Sequence, residues 1–150
     1  MEFNRTLEIS ASGLRAQRLR LDVAASNLAN AHATRRDDGA GPYRRRSVIF
    51  RSAPIDLSFE QALRASGDAR PLRVVEVSGV IEDQKPPRLV LEPGHPDANA
   101  NGYVAYPNVD SVAEMVDLMT ATRAYEANVQ AIRAMRVMGE AALKIGGGGG

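Results

Sequence analysis

Leucine recurs at Leu7, Leu14, Leu21 and Leu28, a seven-residue period held for four repeats near the start of a 150-residue chain. Ala11, Ala24, Ala25 and Ala31 fill positions three or four residues away. This spacing gathers the apolar side chains on one stripe of a helix, and such a stripe needs a second helix to cover it. The matching signal lies at the far end of the chain. After Pro107, either Asp110 or Ser111 can cap a helix, and Glu114 stands three residues beyond Ser111 in capping-box register. Met115, Leu118, Thr122, Tyr125, Val129, Ile132 and Leu143 then keep three-four spacing, Val112 and Met119 widen the stripe, and Gly146 ends it. Gly13 costs the first helix about 1 kcal/mol of propensity and marks either close packing or the true helix start.

Between these helices the pattern changes. "RRDDGAGP" is a loop; "YRRRSVIF" and "LRVVEVSGVI" are rich in β-branched residues; "RLVLEPGHP" and "GYVAYP" read as short strands bounded by Pro and Gly. "SFEQALRASG" reads as a loop or one short helix capped at Ser58. The expected fold is therefore α+β: long N- and C-terminal helices paired as an antiparallel coiled coil around a small β-rich middle module. The expected divisions are residues 1–34, 35–107 and 108–145, with a flexible glycine tail at 146–150.

With three Phe, four Tyr and no Trp, the core available to such a chain is modest. A lone helix pair supplies little packing to set against the backbone entropy of ordering two long helices. The two helices are thus expected to fold fully only against neighbouring subunits. Charge agrees: residues 1–75 carry 13 Lys/Arg against 8 Asp/Glu, and residues 76–150 carry 6 against 10. Halves of opposite sign suit self-complementarity, whereas a polyanion partner would leave the acidic half unexplained. The absence of cysteine excludes a disulfide framework and a Cys-ligated zinc site. No apolar run has the length of a membrane span or a cleaved signal peptide, so export without a cleaved signal is the expectation if the protein leaves the cytoplasm.

One stretch imitates a ligand loop. Asp97, Asn99, Asn101 and Gly102 stand at the D-x-N-x-N-G spacing that opens a calcium-binding EF-hand. The twelfth position, which should supply a bidentate Glu, is Asn108, and prolines occupy both flanks. The stretch reads instead as a turn in which Asn and Gly supply the needed backbone conformations. His32 and His95 are far apart in sequence and no nucleophile elbow, phosphate loop or Cys/His pair occurs, so no metal, cofactor or catalytic centre is implied. The basic run "YRRRS" lacks stacking partners beyond Tyr43 and reads as a solvated or intersubunit strand rather than a nucleic-acid site. "AASNLANAHAT" leaves two readings: a plain C-cap with Asn30 in the left-handed region, or a packed helix end whose Asn27 and Asn30 bridge to a neighbouring helix.

Three segments together resemble the axial proteins of the bacterial flagellum, and among them those of the proximal rod. These are "SASGLRAQRLRLDVAASNLANAHAT" with its Ser-Asn-Leu-Ala-Asn core at Ser26 to Asn30, "GPYRRRSVIF", and the C-terminal block from "LEPGHPDANANGYVAYPNVD" through "ATRAYEANVQAIRAMR". Ser111 departs from the Pro that relatives commonly carry. The resemblance implies a structural protein, not an enzyme. It implies export through the flagellar type III apparatus and polymerisation into the hollow rod that crosses the periplasm and passes torque from motor to hook. Implied partners are further copies of the chain, other rod subunits, the adaptor to the MS ring and the export apparatus, with no nucleic acid and no membrane span. Helix pairing and subunit packing are then expected at Leu7, Leu14, Leu21, Asn27, Leu28, Asn30, Val112, Met115, Leu118, Met119, Tyr125, Asn128, Val129 and Ile132.

Overall fold

A computed structural model of the chain describes residues 2–55 and 72–147. Its elements are α1 (Glu2–Ala29), β1 (Arg46–Pro54), β2 (Arg73–Glu82), β3 (Arg88–Leu91), β4 (Tyr103–Tyr106) and α2 (Ser111–Gly147). The class is α+β as expected: two long helices packed on each other and short antiparallel strands from the middle of the chain. The "SFEQALRASG" segment lies outside the described residues. All four strands fall where β-branched residues cluster, because such side chains suit a pleated surface better than a helix.

β1 pairs with β2, and β3 with β4. The second pair is antiparallel, with Arg88 opposite Tyr106 and Leu91 opposite Tyr103. Its connection closes at Gly102, whose φ of 78° is left-handed and whose absent Cβ would lie 3.2 Å from the Pro93 ring. Asn99 supports the same turn: its side-chain oxygen accepts the N–H groups of Asn101 at 2.9 Å and Tyr103 at 3.0 Å. The D-x-N-x-N-G spacing thus serves a turn.

The chain divides into two compact units, one of Met1–Arg18, Phe50–Ser78 and Arg123–Gly150, the other of Leu19–Ile49 and Gly79–Thr122. In the first, Phe3 lies against Gly139 and Gly13 against Asn128, so the helices run antiparallel. A Cβ on Gly13 would stand 3.0 Å from the Asn128 Oδ1 atom, and α1 passes through this glycine without a break. Gly13 therefore marks close packing. Ser12 and Ala16 are buried here, and the Ser12 hydroxyl accepts the Val75 N–H at 3.1 Å, tying β2 to the helix. In the second unit Ala24 and Ala121 are buried, and an Arg20–Asp117 ion pair joins the helices, with Arg20 Nε donating at 3.2 Å.

The helix ends correct two expectations. No described non-glycine residue has positive φ, so Asn30 is not a left-handed cap; its side-chain amide donates to the Ser26 carbonyl at 2.8 Å and closes α1 that way. At α2 the cap is Asp110, whose Oδ1 accepts from Val112 at 2.9 Å and Ala113 at 3.2 Å. That places Glu114 one residue beyond the capping-box position, and its carboxylate turns inward instead. α2 itself runs to Gly147, one residue past the expected stop at Gly146.

Candidate functional site

The second unit is organised around Asn27, which is 1% exposed and meets Glu114, also 1% exposed. The Asn27 amide nitrogen donates to Glu114 Oε2 at 2.9 Å and to the Arg46 carbonyl at 2.8 Å. Its amide oxygen accepts the Arg46 N–H at 2.8 Å and the Tyr43 hydroxyl at 2.9 Å. All four hydrogen-bonding capacities of the side chain are used. Exchange of both backbone groups of Arg46 with one amide imitates the pairing of a neighbouring strand, so α1 supplies a strand-like edge to the start of β1.

Glu114 completes the node. Its second oxygen accepts Arg45 Nε at 2.6 Å, and Arg45 is braced by the Ser47 hydroxyl at 2.7 Å. A buried carboxylate is stable only when paired and hydrogen-bonded, and both conditions hold here. The "YRRRS" run is divided by strand alternation. Arg45 points to Glu114, while Arg44 donates to Gln84 at 3.2 Å and Arg46 stands over the Tyr43 ring, 5.7 Å from its centroid. Hydrophobicity and charge patterns do not reveal Glu114, Arg45 or Tyr43 as node residues. The one hint is the alternation of the arginines, which sets Arg45 apart from its two neighbours.

A second cluster fixes the loop before β4. Thr34 donates to Asp97 Oδ2 at 2.7 Å, Arg35 forms an ion pair with Asp97, and the Asp97 N–H donates to His95 Nδ1 at 3.0 Å. The Thr34 hydroxyl foremost, with the Arg35 charge, holds the Asp97 carboxyl below its ordinary value against partial desolvation. His32 and His95 lie edge-on to Tyr106, whose hydroxyl donates to Glu92 Oε2 at 2.9 Å; that bond holds the phenol above its ordinary value. Among the described residues, no group of three or more His, Asp or Glu side chains is placed to hold a metal.

The residues expected at interfaces fall into three sets. Asn27 is fully buried. Leu7, Leu14, Leu21, Leu28, Asn30, Leu118, Tyr125, Asn128, Val129 and Ile132 are half-buried. Val112, Met115 and Met119 are exposed at 65%, 45% and 57%. The leucines flank the buried line rather than form it, because Ser12 and Ala16 in one unit and Ala24 in the other occupy it. The second reading of "AASNLANAHAT" applies to Asn27, which bridges to α2, while Asn30 serves only its own helix.

The family model described as "Flagella basal body rod protein" matches residues 7–35, which include most of α1. That described as "Flagellar basal body rod FlgEFG protein C-terminal" matches residues 100–145, which include β4 and nearly all of α2. The chain is 46% identical over 144 residues to the flagellar basal-body rod protein FlgC of Bacillus subtilis, covering 94% of this chain and 96% of that one. It is 45% identical over 139 residues to that of Salmonella typhimurium, covering 93% and 94%. Against the protein from Borreliella burgdorferi it is 39% identical over 150 residues, covering 93% and 95%. Likeness at this level along almost the whole length of all three relatives places the chain in the FlgC family of flagellar basal-body rod proteins.

Proposed function

We propose that this chain is a structural subunit of the proximal part of the flagellar basal-body rod, where it polymerises into the hollow shaft that carries torque from motor to hook. Membership of the FlgC family carries the reading. A physical observation supports it: Val112, Met115, Val116 and Met119 on α2, Val80 and Ile81 on β2 and Leu89 and Leu91 on β3 are all exposed on the single chain. Apolar surface on this scale marks sites of protein association. Head-to-tail contacts that do not close on themselves would then build a tube.

In this reading Val112, Met115 and Met119 pack on neighbouring subunits, and the half-buried leucines of α1 complete their burial there. The partners are further copies, other rod subunits and the adaptor to the MS ring. The chain reaches them across the periplasm through the type III export apparatus, without a cleaved signal and without enzymatic activity of its own. Among the described residues no helix is long and apolar enough to cross a membrane.

The test is to delete the gene and complement it with a tagged copy. Purified basal bodies should carry the tag in the rod by electron microscopy, and the deletion strain should not swim. Swimming by the deletion strain, or basal bodies that lack the protein, would refute the assignment.

A further inference from the structure

From Ala127 onward α2 has three faces of different chemistry. One packs on α1, where Asn128 meets Gly13, Gly139 meets Phe3, and Met135 is buried. A second carries Glu126, Arg133 and Glu140 at seven-residue intervals and is exposed and polar. The third consists of Ala127, Ala131, Ala134, Met138, Ala141 and Ile145, stepping by four and three residues in alternation, and every one of them is exposed. No charge interrupts it. Ile145 is 84% and Met138 62% exposed, so this is bare apolar surface and not only a row of small residues.

The occupant follows from the chemistry of the seam. Four alanines in six positions hold a partner at no distance, so a facing helix can approach at the short end of the usual 8–10 Å interaxial range. A seven-residue period kept for nearly three heptads matches another helix and nothing of different repeat. The lack of cations excludes a polyanion. The helix pair within the chain uses the same device, with Ser12 and Ala16 on the buried side of α1 and glycine at its two tightest approaches. The family model covering residues 100–145 spans this seam, so rod proteins of the same kind carry a segment corresponding to it.

We propose that residues 127–145 of α2 form a close-packed seam for an α-helix of a neighbouring rod subunit, on the face opposed to neither α1 nor the polar stripe. This rests on the rod-subunit reading. It adds a surface apart from Val112, Met115 and Met119.

The chain has no cysteine of its own, so single cysteines report without background. Strains carrying Ala131→Cys or Ala134→Cys on the seam, and Glu126→Cys or Arg133→Cys on the polar face, would be compared by maleimide labelling of intact and denaturant-dissociated basal bodies. The seam positions should label at least tenfold more slowly in intact particles, and a short bis-maleimide should link them to a helical peptide of an adjacent rod subunit. The polar-face positions should label at similar rates in both states. In parallel, Ala131→Glu should lower incorporation at least tenfold while Arg133→Glu leaves it within twofold. Equal labelling of the two faces, a crosslink only to non-helical peptides, or equal loss from the two Glu variants would overturn the seam. Absence of the unaltered chain from basal bodies would overturn the rod-subunit reading, and the seam with it.

Discussion

Asn27 and Glu114, one residue from each long helix, meet side chain to side chain at 2.9 Å with both almost wholly buried. The amide also holds both backbone groups of Arg46, so one residue ties α1 to α2 and to β1. Asn27→Ala would leave the Glu114 carboxylate and the Arg46 amide short of partners, at about 1–3 kcal/mol for each stranded group. The expected result is a clear drop in the urea midpoint of the full chain. Asn27→Asp should be worse, because it sets a second carboxylate against Glu114. An unchanged midpoint for both variants would show that the node does not hold the unit together.

Gly13 should tolerate alanine and reject anything larger. The added methyl would gain about 1 kcal/mol of helix propensity while standing 3.0 Å from Asn128 Oδ1, so the two effects nearly offset. Gly13→Leu adds three more carbons to the same gap, where overpacking typically costs about 1–3 kcal/mol. Thermal denaturation would rank the variants wild type, Ala, Leu, with the first two close. Equal stability of the Leu variant would mean the helices part without penalty at this point.

Leu21 and Ile132 are half-buried apolar side chains on the two helices. Leu21→Asp or Ile132→Asp should abolish rod incorporation and swimming, since a carboxylate among apolar neighbours is costly to desolvate. Motility on soft agar and immunoblots of purified basal bodies read this directly. Wild-type swimming from either strain would contradict a packing role for these positions.

Asp97 links acid sensitivity to the loop before β4. Its carboxyl is held below the ordinary value, foremost by the Thr34 hydroxyl, so its contribution to stability is present above the ordinary carboxylate range and is lost as pH falls through the lowered value. Asp97→Asn should therefore be less stable than wild type at neutral pH, and the gap should narrow below about pH 4. Urea midpoints at several pH values would show the convergence. A gap that stays constant with pH would assign the effect to shape rather than to charge.

The strands and the helix pair were legible because their signals are local: β-branched clusters between turn residues, and a seven-residue leucine period. The identity of the buried line was not. Alanine and serine carry little weight in a hydrophobic pattern, yet Ala16, Ala24, Ala121 and Ser12 lie deepest because their small size lets two backbones come together. The leucines, being longer, are displaced to the flanks of that approach. Glu114 was hidden for a different reason. A carboxylate three residues after Ser111 has a good local explanation, and only the placement of Asn27 and Arg45, 87 and 69 residues away, gives it a better one. Asn101 and Gly102 misled in the opposite sense, since a ligand-like spacing met only the needs of a turn.

The small-residue buried line of each unit also bears on stiffness. Ala, Gly and Ser have few or no side-chain torsions, so a sheared joint built from them has no rotamers into which to relax. Twist applied to such a pair must strain the hydrogen-bonded helical backbone itself. A shaft made of these subunits would behave as a spring with little internal friction, returning the work put into it instead of dissipating it in side-chain rearrangement.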